Sequence, residues 1–523
     1  MASTTPLYTL PASELSRLLQ SNEVTSEEVV RAHLDRISAV DGKVRAFTEV
    51  FPEQALADAR RADEERRQGH PRGPLHGLPV SLKECAGLAG KTVTLGLASR
   101  KETLAPADAA LVTALREAGA VFLGRTNIAQ TMLFSESRNP LYGQTANPFS
   151  LAHTPGGSSG GEAAAVAAGM SPLGVGTDLG GSIRSPASFS GICGLMPTLD
   201  RWPNRGIYPG VPGQETVRAQ GGPMARTVAD LALIMSALSP ERLSALDPRC
   251  PPVPWVGPET VDVPKLRIGF IEDDGNLPPS PAIRRALTRA AEVLRRAGCD
   301  VVPFSPPPTA EVQRLFMGAL GADGAATLSE LLRGGEVDPV LKPLVRIATL
   351  PSAARALIAQ GMRFAKEERI AGMLESIGER SVKDLWALTV QLREFRARMV
   401  RAFEDPKVDA LLAPAFATPA LPHGMSKDFS LAMSYAFVWN AVHFPGGTVP
   451  VTRVRADETT GRRVQDRLDK QAAEVDRRSE GLPVGVQVVG RPWREATVLA
   501  VMAALEAGVK QDPDFPRTPV TPA

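Results

Sequence analysis

The stretch Gly174-Val175-Gly176-Thr177-Asp178-Leu179-Gly180-Gly181-Ser182-Ile183-Arg184-Ser185-Pro186 decides how this chain is read. Glycines directly before a serine leave backbone N–H groups unshielded, so a substrate oxygen can approach them. An oxyanion hole needs that arrangement, and one such donor is worth about 10²–10³ in rate. Taken alone, the same stretch also fits a tight turn with an N-capping serine. A second Gly-rich segment lies upstream, Thr154-Pro155-Gly156-Gly157-Ser158-Ser159-Gly160-Gly161-Glu162. A phosphate-binding P-loop would end in Gly-Lys-Ser/Thr, and this segment has no lysine. A dinucleotide fingerprint would follow a strand, and His153-Thr154-Pro155 is a poor strand end. An Ala-rich helix is expected from Ala163, stopped by Gly169. Its N-terminus at Ser158 or Ser159 turns donors and a positive dipole end toward the loop.

Outward from these segments the pattern is that of an α/β chain. Leu78 to Leu82 reads as a short apolar strand delivering Lys83. Ala109 to Ala118 reads as a helix, and Val121 to Gly124 as a strand. The first 65 residues read as helices, with a capping box at Thr25-Ser26-Glu27-Glu28 ahead of Val30, Leu34 and Ile37 on one face. Residues 139 to 184 are dense in Gly, Ser and Pro, yet apolar residues interleave regularly, as in a shaped site rather than a disordered linker. A Pro-rich bridge runs from Ser239 to Pro264. Beyond it, Leu266–Ile271 reads as a strand, Pro281–Ala297 as a basic helix and Val301-Val302 as a strand. Residues 310 to 404 read as mainly helical. Leu411 to Pro414, Gly447 to Val451 and Val484 to Val489 are strand candidates. Arg462 to Glu480 reads as a charged, solvated helix. There is no internal repeat.

Composition narrows the classes. The chain has 523 residues, 43% of them hydrophobic, which is ample for a large core. A net charge of +2 gives no electrostatic case for nucleic acid. The four cysteines, Cys85, Cys193, Cys250 and Cys299, are scattered, and the six histidines lack zinc-site spacing. Neither a metal site nor a disulfide framework is expected, and a reducing compartment fits. The N-terminus lacks a basic region followed by an apolar one, so no secretory leader is read there. No run of about 20 apolar residues marks a membrane span.

The two Gly-rich segments together resemble the amidase signature family. In that family a Gly-Gly-Ser-Ser-Gly-Gly loop precedes a Gly-Gly-Ser-Ile-Arg-x-Pro loop, with the two serines 24 residues apart, as Ser158 and Ser182 are. Pro79-Val80-Ser81-Leu82-Lys83-Glu84 matches the family's lysine segment, 75 residues before Ser158. The resemblance narrows toward the fatty acid amide hydrolase branch at Asn139–Thr145, Ser190–Leu195, Gly213-Gln214-Glu215, Gly222–Arg226, Phe444–Gly447 and Leu482–Gln487. It covers roughly residues 10 to 510 and is weakest from 240 to 340.

The resemblance implies an α/β amidase-signature fold, a central mixed β-sheet covered by helices on both faces. A helical region (1–70) would precede the signature domain (71–523), with a core motif at 139–226 and a helical cap at 341–375. It implies a Ser-Ser-Lys triad with no cofactor and no metal. Lys83 is the base, Ser158 a relay preceded by a cis peptide, and Ser182 the nucleophile that forms an acyl-enzyme. The N–H groups of Leu179, Gly180, Gly181 and Ser182 would hold the oxyanion. Met132, and with it Leu133 and Phe134, would line the substrate site, and Thr177 would orient the relay. Asp178 and Arg184 are expected to brace the turn. Neutral Lys83 is required: from a reference pKa of about 10.4, neutrality at pH 8 costs about 3 kcal/mol unless burial lowers it.

The expected substrate is an amide with an apolar fatty acyl or aryl group. Carbamate, aryl acylamide or ester hydrolysis by the same residues is the alternative. An amidotransferase A subunit and a silent binding protein are further removed. The cap segment is a candidate for peripheral membrane contact, a substrate mouth or a homodimer contact. The expected location is cytoplasmic or peripheral to a membrane, and the Ala, Arg and Pro bias points to a GC-rich bacterial genome.

Overall fold

Ala410 and Leu412 bury into one apolar cluster, while Leu411 and Ala413 bury into another. This is the period-two alternation of a strand covered on both faces. The computed structural model describes residues 5–522, so Met1 to Thr4 of the stretch read for a leader lie outside it. The strands are β1 (Phe47–Val50), β2 (Pro79–Lys83), β3 (Val121–Thr126), β4 (Arg138–Asn139), β5 (Gly143–Gln144), β6 (Leu173–Asp178), β7 (Cys193–Met196), β8 (Gln220–Ala225), β9 (Arg267–Phe270), β10 (Asp300–Pro303), β11 (Ala410–Pro414), β12 (Gly446–Arg453) and β13 (Pro483–Gly490). Eleven of them form one sheet in the order β1-β3-β2-β6-β8-β7-β12-β13-β11-β9-β10, and β4 and β5 pair separately. The sheet is mixed. β2 runs parallel to β3 and β6, and β9 parallel to β10 and β11, while the strands between are antiparallel.

The expected α/β class and most expected strands are present. The N-terminal stretch differs from a purely helical reading, because Phe47–Val50 pairs antiparallel with β3 and forms one edge of the sheet. A four-residue, half-buried strand between two long helices carries too little alternation to show in sequence. The capping box is present, with Glu28 N–H donating to Thr25 Oγ1 at 3.1 Å and Thr25 N–H to Glu28 at 2.8 Å. The charged helix spans Arg467–Arg477 and is not merely solvated. Leu468, Ala472 and Val475 are buried, so one face packs against the core. Among the described residues, no helix is long and apolar enough to cross a membrane.

The helix Gly160–Ala167 is buried along its whole length, and only small residues let it sit there. A Cβ on Gly161 would come within 2.4 Å of Asn127 O, and one on Gly174 within 2.2 Å of Glu162 Oε2. Glu162 has no freedom to yield. Its carboxylate accepts from Ser81 Oγ at 2.6 Å and from Thr126 Oγ1 at 2.7 Å in a fully buried site. We expect Gly174→Ala to lower stability by about 1–3 kcal/mol through overpacking. Urea unfolding measures this, and an unchanged midpoint would show that the helix and β6 separate easily.

Candidate active site

β2 and β6 lie side by side and place Lys83 and Thr177 at neighbouring strand ends. Lys83 Nζ lies 2.8 Å from Ser158 Oγ and donates to Thr177 Oγ1 at 2.8 Å and to the Thr177 carbonyl at 3.3 Å. Lys83 is 1% exposed, and burial pushes its pKa down to about 8. Glu84 points the other way, as strand alternation requires. Its carboxylate accepts from Thr94 Oγ1 at 2.8 Å and from Leu95 N–H at 3.2 Å.

Ser158 follows a cis peptide from Gly157. The glycines before it are packed tightly: a Cβ on Gly157 would meet Glu136 N at 2.4 Å. The next residue, Ser159, caps no helix with its side chain. Its Oγ donates to the Thr177 carbonyl at 3.1 Å and its N–H to the Ser182 carbonyl at 3.2 Å. These bonds tie the two Gly-rich segments together and bring Ser158 and Ser182 to one cavity.

The turn before Ser182 is built around the Asp178 carboxylate. It accepts from Gly181 N–H at 2.7 Å, from Ile183 N–H at 3.0 Å and from the Arg184 guanidinium at 3.0 and 3.1 Å. Arg184 is held in turn by Gln487 Oε1 and Asn440 Oδ1, each at 2.6 Å. Burial opposes ionisation of Asp178, but Arg184 and the backbone donors outweigh it and hold the carboxyl down at about 2. The pair braces the turn, as the sequence implied. One expectation changes. Of the four backbone donors named from sequence, Gly181 N–H is already given to Asp178. Those of Leu179, Gly180 and Ser182 have no acceptor among the described residues.

Two cavities share walls at Met132, Leu133, Leu179 and Ser182. The first, of about 440 Å³, is lined by Ser158, Thr177 and Ser182 and opens toward Arg205, Gln214 and Glu215. The second, of about 130 Å³, is apolar and lined by Phe134, Gly180, Phe316, Leu344, Met373 and Phe437 among others. Met132, Leu133 and Phe134 therefore face the cavities, and Leu344, Ala348 and Met373 place the 341–375 segment over the second. Thr131 and Met132 hold φ of 56° and 61°, a left-handed backbone that L side chains rarely adopt. Donation from Thr131 N–H to Leu95 O at 2.9 Å and from Gln130 Nε2 to Glu336 O at 2.8 Å secures it. Sequence reading gave no role to Phe316, Leu320 or Phe437, because helix periodicity says which face is apolar and not what it faces. Among the described residues, no histidine lines either cavity.

The chain belongs to the amidase family, whose model it matches over residues 28–499. It is similar to fatty-acid amide hydrolase 1 of Sus scrofa, at 38% identity over 96% of this chain and 86% of that protein. It is also similar to amidase 1 of Gibberella moniliformis, at 32% identity over 93% of this chain and 90% of that one. Among solved structures, a fatty acid amide hydrolase superposes with a TM-score of 0.83 at 30% identity, covering 97% of this chain and 86% of that one. The peptide amidase of Stenotrophomonas maltophilia superposes with a TM-score of 0.71 at 27% identity, covering 98% and 99%. The protein is an amidase-signature amide hydrolase.

Removing one charge of the buried Asp178–Arg184 pair strands the other. Asp178→Asn is expected to cost about 3–5 kcal/mol in denaturant unfolding. A loss below about 1 kcal/mol would mean that Asn440 and Gln487 alone hold Arg184.

Proposed function

We propose that this protein hydrolyses amides with an apolar acyl half through an acyl-enzyme carried by Lys83, Ser158 and Ser182. The observation that carries the reading is the 2.8 Å approach of a fully buried, readily neutralised lysine to Ser158, beside Ser182 at the junction of the two cavities. Neutral Lys83 accepts the Ser158 hydroxyl proton as Ser158 accepts that of Ser182. Ser182 Oγ adds to the amide carbonyl, and the developing oxyanion meets the unspent N–H groups of Leu179, Gly180 and Ser182. Ser158 returns a proton to the leaving nitrogen, the C–N bond breaks, and water cleaves the ester by the same relay in reverse. Ser158 lines the first cavity and not the second. The amine half therefore leaves through the first, and the acyl half occupies the apolar second. Likeness to fatty-acid amide hydrolases supports a fatty acyl chain there.

The outer face of the 341–375 segment carries Leu357, Ile358 and Phe364, the last 94% exposed. Apolar side chains this bare, on the helix Ser352–Phe364 between the segments that supply Leu344, Ala348 and Met373 to the apolar cavity, support peripheral contact with a lipid surface. Phe364→Glu is expected to release the protein from sedimenting anionic vesicles. Equal sedimentation of both forms would place the patch elsewhere in function.

The test of the reaction is a panel of long-chain, short-chain and aryl amides, carbamates and glutamine. The wild type is expected to turn over long-chain amides, and Ser182→Ala to lose turnover by at least a thousandfold. Below about 8 Lys83 is an ammonium and above it a free amine, so kcat/KM rises with pH and levels off near 8. Lys83→Ala should flatten that rise. Equal turnover by wild type and Ser182→Ala removes the mechanism; turnover of carbamates or small aryl amides alone keeps it and removes the fatty acyl substrate.

A further inference from the structure

We infer that Gln130 is a positioning residue that sets how well the site holds an acyl chain. Its buried amide locks the start of the 341–375 segment onto the Thr131-Met132 turn, which lies in the walls of the cavities. The inference rests on the hydrolytic reading above and concerns how that reaction selects its substrate.

The turn sits in an unfavourable backbone state. Leu95, Thr131 and Met132 hold φ of 53°, 56° and 61°. A β-branched residue such as Thr131 is rarely found there, and it persists only where its surroundings over-determine it. Three contacts do so. Thr131 N–H donates to Leu95 O at 2.9 Å. The Thr131 carbonyl lies so close to Gly210 that a Cβ on that glycine would overlap it. The third contact is Gln130, whose side chain is fully buried. Its Nε2 donates to Glu336 O at 2.8 Å and to Gly96 O at 3.3 Å, and its Oε1 accepts from Asp338 N–H at 2.8 Å. The partners at 336 and 338 lie 206 and 208 residues away along the chain.

Asp338 is the other half of the joint. Its carboxylate accepts from Arg138 Nε at 2.9 Å and from Val340 N–H at 2.9 Å. Its carbonyl accepts from the N–H groups of Leu341 and Lys342 at 2.9 and 3.1 Å. It thereby starts the helix Lys342–Ala348, whose Leu344 and Ala348 line the apolar cavity. Val340 and Leu341 are buried in one apolar cluster with Ile128, Ala129 and Phe134, and Met132, Leu133 and Leu344 pack against it. Two sides of the acyl cavity are therefore one unit, joined at Gln130. Lys83 is held by Ser158 and Thr177 and not by this unit. Without the joint, the turn relaxes toward negative φ and carries Met132 and Leu133 out of the wall that an acyl chain packs against. The proton relay stays in place.

The experiment compares the 4-nitroanilides of decanoic and acetic acid, which share a leaving amine and differ in the acyl chain. Gln130→Met keeps the length of the side chain and removes all three bonds. It is expected to raise KM for the decanoyl anilide about tenfold, to change KM for the acetyl anilide less than about twofold, and to keep kcat within about threefold. The pH midpoint of kcat/KM should stay at its wild-type value. Gln130→Glu keeps the acceptor for Asp338 N–H, loses the donor to Glu336 O and should fall between. Asp338→Asn loosens the same joint by breaking its bond from Arg138. It should raise the decanoyl KM severalfold, and it decides the matter if Gln130→Met does not fold. An unchanged decanoyl KM overturns this inference and leaves the hydrolytic reading standing. Equal losses on both anilides do the same, since a merely structural role is then enough. Failure of the wild type to turn over either anilide overturns both.

Discussion

Everything at the site hangs on one buried carboxylate with too many partners to move. Asp178 receives backbone N–H groups from the turn, a guanidinium from Arg184 and the amide of Asn440 at 3.0 Å. A carboxylate taken from water is tolerable only when its lone pairs are filled this fully. The filling fixes geometry. Arg184 reaches Gln487 on β13, and Asn440 also donates to the Asp178 carbonyl, so the turn is tied to two elements far away in sequence. Gly181 N–H is spent inward on that carboxylate, while Leu179, Gly180 and Ser182 beside it line the cavities.

The second constraint is the burial of the cluster behind the serines. Burial lowers Lys83 to about 8, raises Glu162 to about 7 and raises the Cys85 thiol to about 11. Each shift favours the uncharged form. A carboxylate or thiolate fixed beside Lys83 would keep it an ammonium. Instead Glu162 is occupied by two hydroxyls and Glu84 by the Thr94–Leu95 turn. The lysine is left with three oxygens, those of Ser158 and Thr177, as its polar company.

The placement of Lys83, Ser158 and Ser182 around one site was legible because it is written in short, local, largely Gly-rich segments. Glycine appears there for contact reasons that leave no substitute, as at Gly157 and Gly161. Strands with short, largely apolar runs, such as those at Leu411 and Val484, were legible for the same local reason. β1 was not, since a half-buried four-residue strand between two long helices is absorbed into the helical reading until its partner is known. β6 hid within Gly-rich sequence that low strand propensity made look like a turn or a loop-built site. The apolar cavity was hidden for a different reason. Phe316, Met373 and Phe437 come from helices separated by long stretches of chain, and only the tertiary arrangement points them at Ser182. The engagement of Gly181 likewise depends on side-chain geometry that no motif spells out.

The Gly-rich segments and the apolar wall differ in how tightly packing constrains them. The lysine, the serines and the donor turn all fall within about a hundred consecutive residues, packed so closely that one added methyl group collides with backbone or a fixed carboxyl. Much of the apolar wall is supplied by residues 316 to 377, on helices whose outer faces meet solvent. Mutation can therefore drift, enlarge or shorten that wall while the reaction centre stays intact. Substitutions in that wall escape the steric limits that hold the Gly-rich segments.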